Sequence, residues 1–573
     1  MSGSGYEPLA RYRDEFRDRF AELALEKFKD LARRSGVDVK ANRATCAKVA
    51  SLQASADSAG RKKSMFGCIS AAGFLAAAVA AGALFLRAPE RGKSSQAPWI
   101  AAIAAGIAAG VAAIPGFRSQ ARILDGLKRL IADEKSVAWR QMEPLNRLFS
   151  WDDTVKLIEA TVPEIRFDPY FSAGALETMR SRFGWDDSFN DGKSVLFAQS
   201  GMADGSPFVF VHYLDMEWGT ETYEGFKEIS WTEWEEDEKG RRRPVRRYQT
   251  LRATVVKPKP EYTEQKLLVY CNAAAPGLSF SRQPSGLSGK DGDLWGAIKK
   301  RWRLGRLKAF SRNLEDESNF TLMSNHEFEA WFHAKDRDNE VEFRLMFTPV
   351  AQTQMLNLMK DAETGYGDDF AFVKAGMVNA IASKHLSDAV LDTDPARFRN
   401  WNYDTAGSFF ISFSRKYFKD IYFSLAPLMS IPVYRQTRMP QDGGREPGDP
   451  GLPSFWEAEA TANWHGDGEF KPARCITRCI LKTETVEESA GESVVAVTAH
   501  GYEGIEHLDF VEVYGGDGNW HDVPVKWIEY SPVQRTRNMC MSVRASPSGM
   551  FGKCAAACGG AAVRRSIASF CAR

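Results

Sequence analysis

Paired carboxylates are the side chains of this 573-residue chain best suited to proton transfer. Asp368 and Asp369 stand together in GYGDDF, and Asp186 and Asp187 in SRFGWDD. General acid–base work would need one of them in a cleft beside a histidine such as His333 or His521. Adjacent carboxylates ahead of an apolar segment also serve as helix N-caps, and that is the role expected of Asp368 and Asp369. His326-Glu327 opens like the zinc motif HExxH, but the next histidine is His333. In the extended strand expected there, the two histidines face opposite sides and cannot share a metal. The Asp336, Asp338, Glu340 cluster lacks the glycine and distant glutamate of a calcium loop and reads as the cap of a hairpin turn. Cys475/Cys479 and Cys554/Cys558 share C-x3-C spacing, which could offer zinc four thiolates. The first pair falls in a strand-like run, however, and the second in an Ala/Gly-rich tail. Nine scattered cysteines, an odd number, make no disulfide framework and suit a reducing compartment. With no GxSxG, P-loop or dinucleotide fingerprint, no catalytic residue, cofactor or metal is expected.

The elements that must carry these groups begin with two apolar runs, Met65–Leu86 and Pro98–Phe117, joined by the polar bridge Arg87–Ala97. Neither run contains a charge, and each reaches the roughly 20 residues that cross a hydrocarbon core. A transmembrane helical hairpin is the expectation. In the second run Ile100, Ile103, Ile107, Val111 and Ile114 step along one helical face, while Ala102, Gly106 and Gly110 form a small-residue ladder. Such ladders let helix backbones approach closely in lipid, so these three residues are expected to pack the spans together or to pair two copies of the chain. An Ala-rich soluble hairpin is the alternative, but glycine costs about 1 kcal/mol inside a soluble helix. Arg61, Lys62 and Lys63 precede the first run, and Arg118, Arg122, Lys128 and Arg129 follow the second. The positive-inside rule then puts both termini in the cytoplasm of the cell, with two spans in its membrane.

Around the hairpin, Leu9, Tyr12, Phe16, Phe20, Leu23, Phe28 and Leu31 mark an amphipathic helix. Its expected partner is the stripe Ile123, Leu127, Leu130, Ile131, giving a helical stalk at the membrane; an arm lying on lipid is the other reading. From Phe167 onward the period changes to two, in segments such as SVLFAQSG, PFVFVHYLDMEW, TYEGFKEISWTEW and RRYQTLRATVVK, which read as hairpin-ordered strands. Cations and acids nearly balance, and an acidic run abuts Arg241–Arg243, so nucleic acid is not an expected partner. Leu294–Arg312 concentrates Lys299, Lys300, Arg301, Arg303 and Arg306 among apolar residues with no acid. It reads either as a membrane-surface contact or as a solvated helix packing its aromatic side on the sheet. The fold class expected is α+β: N-terminal helices (1–63), the hairpin (64–117), a stalk plus α+β cytosolic domain (118–438), a linker (439–453), a small β-rich module (454–543) and a basic tail (544–573).

Several stretches are long enough to carry a resemblance: SRFGWDD, YEGFKEISW, LSFSR, DRDNEVEFRLMFTP, GYGDDF, YFKDIYFSLAPLMSIPVY and GGDGNWHDVPVKWIEY. In their order and wording they resemble an uncharacterised family of bacterial two-transmembrane-helix proteins, from the hairpin to about Val543. The resemblance implies a membrane protein with a large cytosolic region and carries no activity, cofactor or assigned residue. The expected function is a membrane-anchored scaffold or binding protein, with the lipid bilayer and a protein at the inner membrane face as partners. The alternative is a membrane-tethered, hydrolase-like enzyme using carboxylate and histidine side chains in a cytosolic cleft.

Overall fold

The structure, a computed structural model, describes residues 7–87, 97–236, 241–285, 323–334, 336–437, 451–489, 491–543, 549–558 and 560–571. It combines helices with antiparallel β-sheets, as an α+β chain should. Two compact units are present, one made of residues 22–150 and 394–414 and the other of 1–21, 151–393 and 415–573.

The first unit is built on two helices, Val39–Arg87 and Ala97–Asn146, each far longer than the apolar run it contains. At 1.5 Å per residue each measures about 74 Å, more than twice a hydrocarbon core. They pack along a seam that alternates steps of three and four. On the first helix the covered positions are Val49, Leu52, Ala56, Ala59, Lys63, Phe66, Ser70, Gly73, Ala77 and Ala80. On the second they include Ile103, Gly106, Gly110 and Ala113, then Leu124, Leu127 and Ile131. This 3.5-residue repeat makes the pair one antiparallel coiled coil, apolar at one end and polar at the other. The polar end is closed by the ion pair Lys48–Glu134 and a hydrogen bond from Gln141 to Thr45 of 3.1 Å. Buried Asn42 donates to the Trp401 carbonyl, and Asn146 and Asn400 bond reciprocally at 3.1 Å. Ile123 and Leu130, expected in the stalk stripe, are exposed, because that stripe followed one face while the seam runs one residue to its side. The N-terminal helix instead sets Phe28 against Tyr403 and Phe410.

The second unit holds a seven-stranded sheet in the order β1-β2-β3-β4-β7-β6-β5 and a five-stranded sheet in the order β11-β12-β10-β9-β8. The strands are β1 Ile165–Phe167, β2 Lys193–Ala203, β3 Ser206–Glu236, β4 Arg242–Cys271, β5 Ser279–Arg282, β6 Phe370–Ala375 and β7 Val378–Ser383. The second sheet has β8 Ile480–Ser489, β9 Glu492–Tyr514, β10 Trp520–Ser542, β11 Ala562–Arg564 and β12 Ile567–Cys571. The segments expected as separate strands between Pro207 and Trp234 are one continuous strand. Its partner β2 ends opposite Asp215, and β7 covers β4 only over Leu268–Cys271. Beyond those points β3 and β4 run on as a free ribbon, about 70 Å long at 3.3 Å per residue. The β9–β10 ribbon stacks on it through Ile229, Leu251, Ala253, Val523 and Val525. Gly225 permits the approach, since a Cβ there would collide with the Pro524 carbonyl oxygen. The tail from 544, read as a basic extension, supplies a helix (Gly549–Ala557) and the strands β11 and β12.

Candidate functional site

The apolar end of the coiled coil carries the clearest functional geometry. Each of its helices is long and apolar enough to cross a membrane. A core helix of a soluble protein would bury such residues, yet Leu75 is 66% and Val79 65% exposed. Met65, Ile69, Phe74, Ile100, Ile107 and Val111 are exposed as well. What is covered is small. A Cβ at Gly73 would lie 2.7 Å from both the Gly106 carbonyl oxygen and the Gly110 amide nitrogen, and one at Gly106 2.7 Å from the Gly73 oxygen. Ser70 donates to the Gly110 carbonyl at 2.9 Å, and the Phe66 ring fills the space over Gly116. Two of the three predicted packing residues, Gly106 and Gly110, therefore sit at the seam, facing Gly73 and Ala77 of the same chain. Ala102 does not: it is exposed. The seam steps back from Gly106 by three to Ile103, whereas the ladder reading stepped back by four. Because Gly73 already occupies the Gly106/Gly110 face, that face is filled within one chain. Lys299, Lys300, Arg301, Arg303 and Arg306 lie outside the described residues, as do the bridge from 88 to 96 and most of the linker.

The carboxylates go to separate duties. Asp186 accepts from the Ser188 amide at 3.0 Å, and Asp187 pairs with Arg180. His521 binds Asp517 at 2.9 Å on the β9–β10 turn. His326 begins a helix, His326–Phe332, in place of the expected strand, and His333 ends it with φ +52°. Asp336 and Asp338 accept from the Ser281 and Ser279 amides and so fasten β5, while Glu340 pairs with Arg337. Asp368 and Asp369 precede a strand, not a helix. The two side chains go to different partners. Asp368 is fully buried against the guanidinium of Arg282 and also accepts from the Ser285 amide at 2.7 Å. Burial in this apolar setting, with the Phe370 ring 4.2 Å away, lowers the Arg282 pKa.

Asp369 makes the arrangement closest to a catalytic one. Its Oδ2 lies 2.8 Å from His385 Nδ1, and His385 Nε2 lies 3.0 Å from Ser424 Oγ. The connectivity matches a Ser-His-Asp triad. Its surroundings do not. Ser424 is fully buried, its hydroxyl lies 2.8 Å from the Asp420 carbonyl one helical turn back, and Tyr366 stacks on the imidazole at 4.2 Å. Ser383 competes for the same Nε2 at 3.3 Å. A nucleophile must reach a substrate, and this hydroxyl faces packed protein; the cluster ties β6, the end of β7 and the helix Tyr403–Met429 together. Neither His385 nor Ser424 was expected, because sixteen and fifty-five residues separate them from Asp369 and no local spacing marks them. Among the described residues, no group of three or more His, Cys, Asp or Glu side chains could hold a metal ion.

No protein family, no curated protein and no solved structure matches the chain, so no activity, cofactor or partner reaches it by similarity.

Proposed function

We propose that this protein is a membrane-anchored binding protein or scaffold, held by two spans with both termini and the β-rich unit in the cytoplasm. The observation that carries this reading is the exposed apolar surface around a glycine-packed seam. Water would penalise such a surface at about 25 cal/mol per Å2, whereas lipid accepts it. Cations flanking both runs on their polar sides set the orientation. The ribbon pair of the β-rich unit fits a binding role, since it exposes Trp234, Tyr248, Phe510 and Trp520, aromatic types enriched where proteins meet. An inner-face protein is the partner this reading assigns to them. The buried state of Ser424 weighs against the hydrolase-like alternative.

Two cysteine variants test the topology. With Ser95→Cys in the bridge, an impermeant thiol reagent should label intact cells, while Tyr248→Cys should label only after lysis. The reverse pattern would invert the orientation. Release of the chain by a high-pH wash would remove the spans altogether.

A further inference from the structure

Of the two C-x3-C pairs, the structure treats one as a helix and the other as a loop. Cys554 and Cys558 are one turn apart in and just after the helix Gly549–Ala557, a spacing that sets Cβ atoms about 5–6 Å apart, too far for a sulfur–sulfur bond. Cys540 and Cys571 sit back to back: Cys540 opposes Phe570 and Cys571 opposes Met539, so their side chains point to opposite faces. Cys475 and Cys479 differ. They lie in the irregular segment before β8, and their sulfurs are 3.6 Å apart. Both thiols lie over Gly501 of β9, where a Cβ would collide with Cys475 Sγ and come within 3.1 Å of Cys479 Sγ. Room for two adjacent sulfurs is therefore built into the strand beneath. Packing as small apolar side chains would explain their burial. It does not require the two sulfurs to touch.

We infer that Cys475 and Cys479 form a reversible disulfide, an oxidation site in the loop that fastens the base of the β-ribbon pair. Cys475 retains 7% exposure against 2% for Cys479 and is the attacking thiol. The oxidant is a low-molecular-weight disulfide. Cys475 Sγ attacks one of its sulfurs, the oxidant's S–S bond breaks, and the departing thiolate takes up the proton lost by Cys475. Cys479 Sγ, losing its own proton, then attacks Cys475 Sγ and expels the second thiol. Two protein thiols lose two electrons and one small disulfide becomes two thiols. Closing 3.6 Å to the bonded distance of about 2.05 Å moves the sulfurs by about 1.5 Å. The segment between them cannot ignore that shift. Ile476 donates its amide to the Tyr502 carbonyl at 2.9 Å, and Thr477 Oγ1 meets both the Tyr262 hydroxyl on β4 and the Tyr502 amide on β9 at 3.1 Å.

The test incubates the full-length protein with oxidised glutathione and maps thiols by peptide mass. A peptide spanning 475 and 479 that has lost two hydrogens, restored by dithiothreitol, is expected. In Cys479→Ser the expected product is a stable glutathionyl adduct on Cys475. Hydrogen exchange at Ile476 and Tyr502 should accelerate in the oxidised form. A disulfide joining other cysteines, or both thiols still free once half-buried Cys46, outside the apolar runs, has reacted, overturns the inference. Should Cys479→Ser fail to fold, a bivalent arsenical decides on the wild-type chain: it must capture Cys475 and Cys479 together, and capture of neither overturns the inference.

Discussion

Burying an ammonium group costs more than two backbone carbonyls return, and Lys374 shows that imbalance. Its Nζ donates to the carbonyls of Ala274 at 2.9 Å and Gly376 at 2.6 Å, with no carboxylate in contact among the described residues. Desolvation pulls its pKa down to about 7, resisted by the more distant carboxylate of Glu342. Below pH 7 the lysine is charged in both folded and unfolded chains, and the penalty is constant. Between pH 7 and the unfolded value near 10.5 the unfolded chain holds a proton that the folded chain has released. Stability therefore rises with pH in that window, by up to about 1.4 kcal/mol per unit. Above pH 10 buried tyrosines such as Tyr12, pushed up to about 12, act in the opposite sense. Thermal unfolding in detergent should thus give a higher midpoint at pH 9 than at pH 7, and Lys374→Met should flatten the difference. A rise that persists in Lys374→Met would assign it elsewhere. Nothing in the sequence marks this residue. Lys374 sits mid-strand in FAFVKA, where alternation gives it a face but not the depth of that face. Asp368 and Asp369 were visible as a pair for the same reason that their partners were not: adjacency is local, whereas Arg282 and His385 arrive through tertiary folding.

Elements were legible wherever a period ran unbroken. The three-and-four spacing of Leu9 to Leu31 gave a helix, and six of its seven apolar residues are buried: Leu9, Tyr12, Phe16, Phe20, Phe28 and Leu31. Unbroken apolar composition marked the two runs, and the helices that hold them continue past Phe117 along a 3.5-residue seam through Leu124, Leu127 and Ile131. For the strands, Gly219–Glu221 fell between two of the expected segments, yet β3 passes through these residues as an exposed ribbon. At the element scale the seam makes a sharp prediction. Gly106→Leu puts a branched side chain where the Gly73 oxygen and the Ala77 amide, at 2.7 and 2.9 Å, already stand. Backbone cannot rotate aside, so the helices must separate, at a cost of about 1–3 kcal/mol or more. Disulfide cross-linking between cysteines at Ser70 and Ala113, neighbours across the seam, should fall several-fold in this variant, while Ala102→Leu, on the exposed flank, should leave it unchanged. Equal cross-linking in all three proteins would mean that the glycines do not set the distance.

For the whole molecule, the decisive matter is whether apolar surface is confined to one stretch of the chain. Among the described residues of Met65–Leu84 and Pro98–Phe117, the exposed large side chains are apolar. Below that stretch the coiled coil turns polar, with Arg61, Lys62, Arg118 and Arg122 on its flanks and the Lys48–Glu134 pair across it. The change falls at one level on both helices, since Phe66 faces Gly116 and a Cβ on Gly67 would lie 3.5 Å from the Phe117 ring. Cutting both helices there and joining residue 64 to residue 118 with a short Gly/Ser loop removes the exposed apolar surface. The lower seam of Val49, Leu52, Ala56 and Ala59 against Leu124, Leu127, Ile131 and Ala138 stays intact. If the spans serve only to hold the chain in a bilayer, the shortened protein should be monodisperse without detergent and keep the wild-type content of helix and strand. Aggregation of a folded, shortened protein would show that lipid-seeking surface lies elsewhere as well. Exposed Ile123, Leu130 and the ribbon aromatics would then be its next candidates, to be replaced by polar residues in the same shortened chain. Solubility of the uncut protein in plain buffer would contradict the anchor itself, because some forty residues in two exposed apolar runs cannot remain dispersed in water.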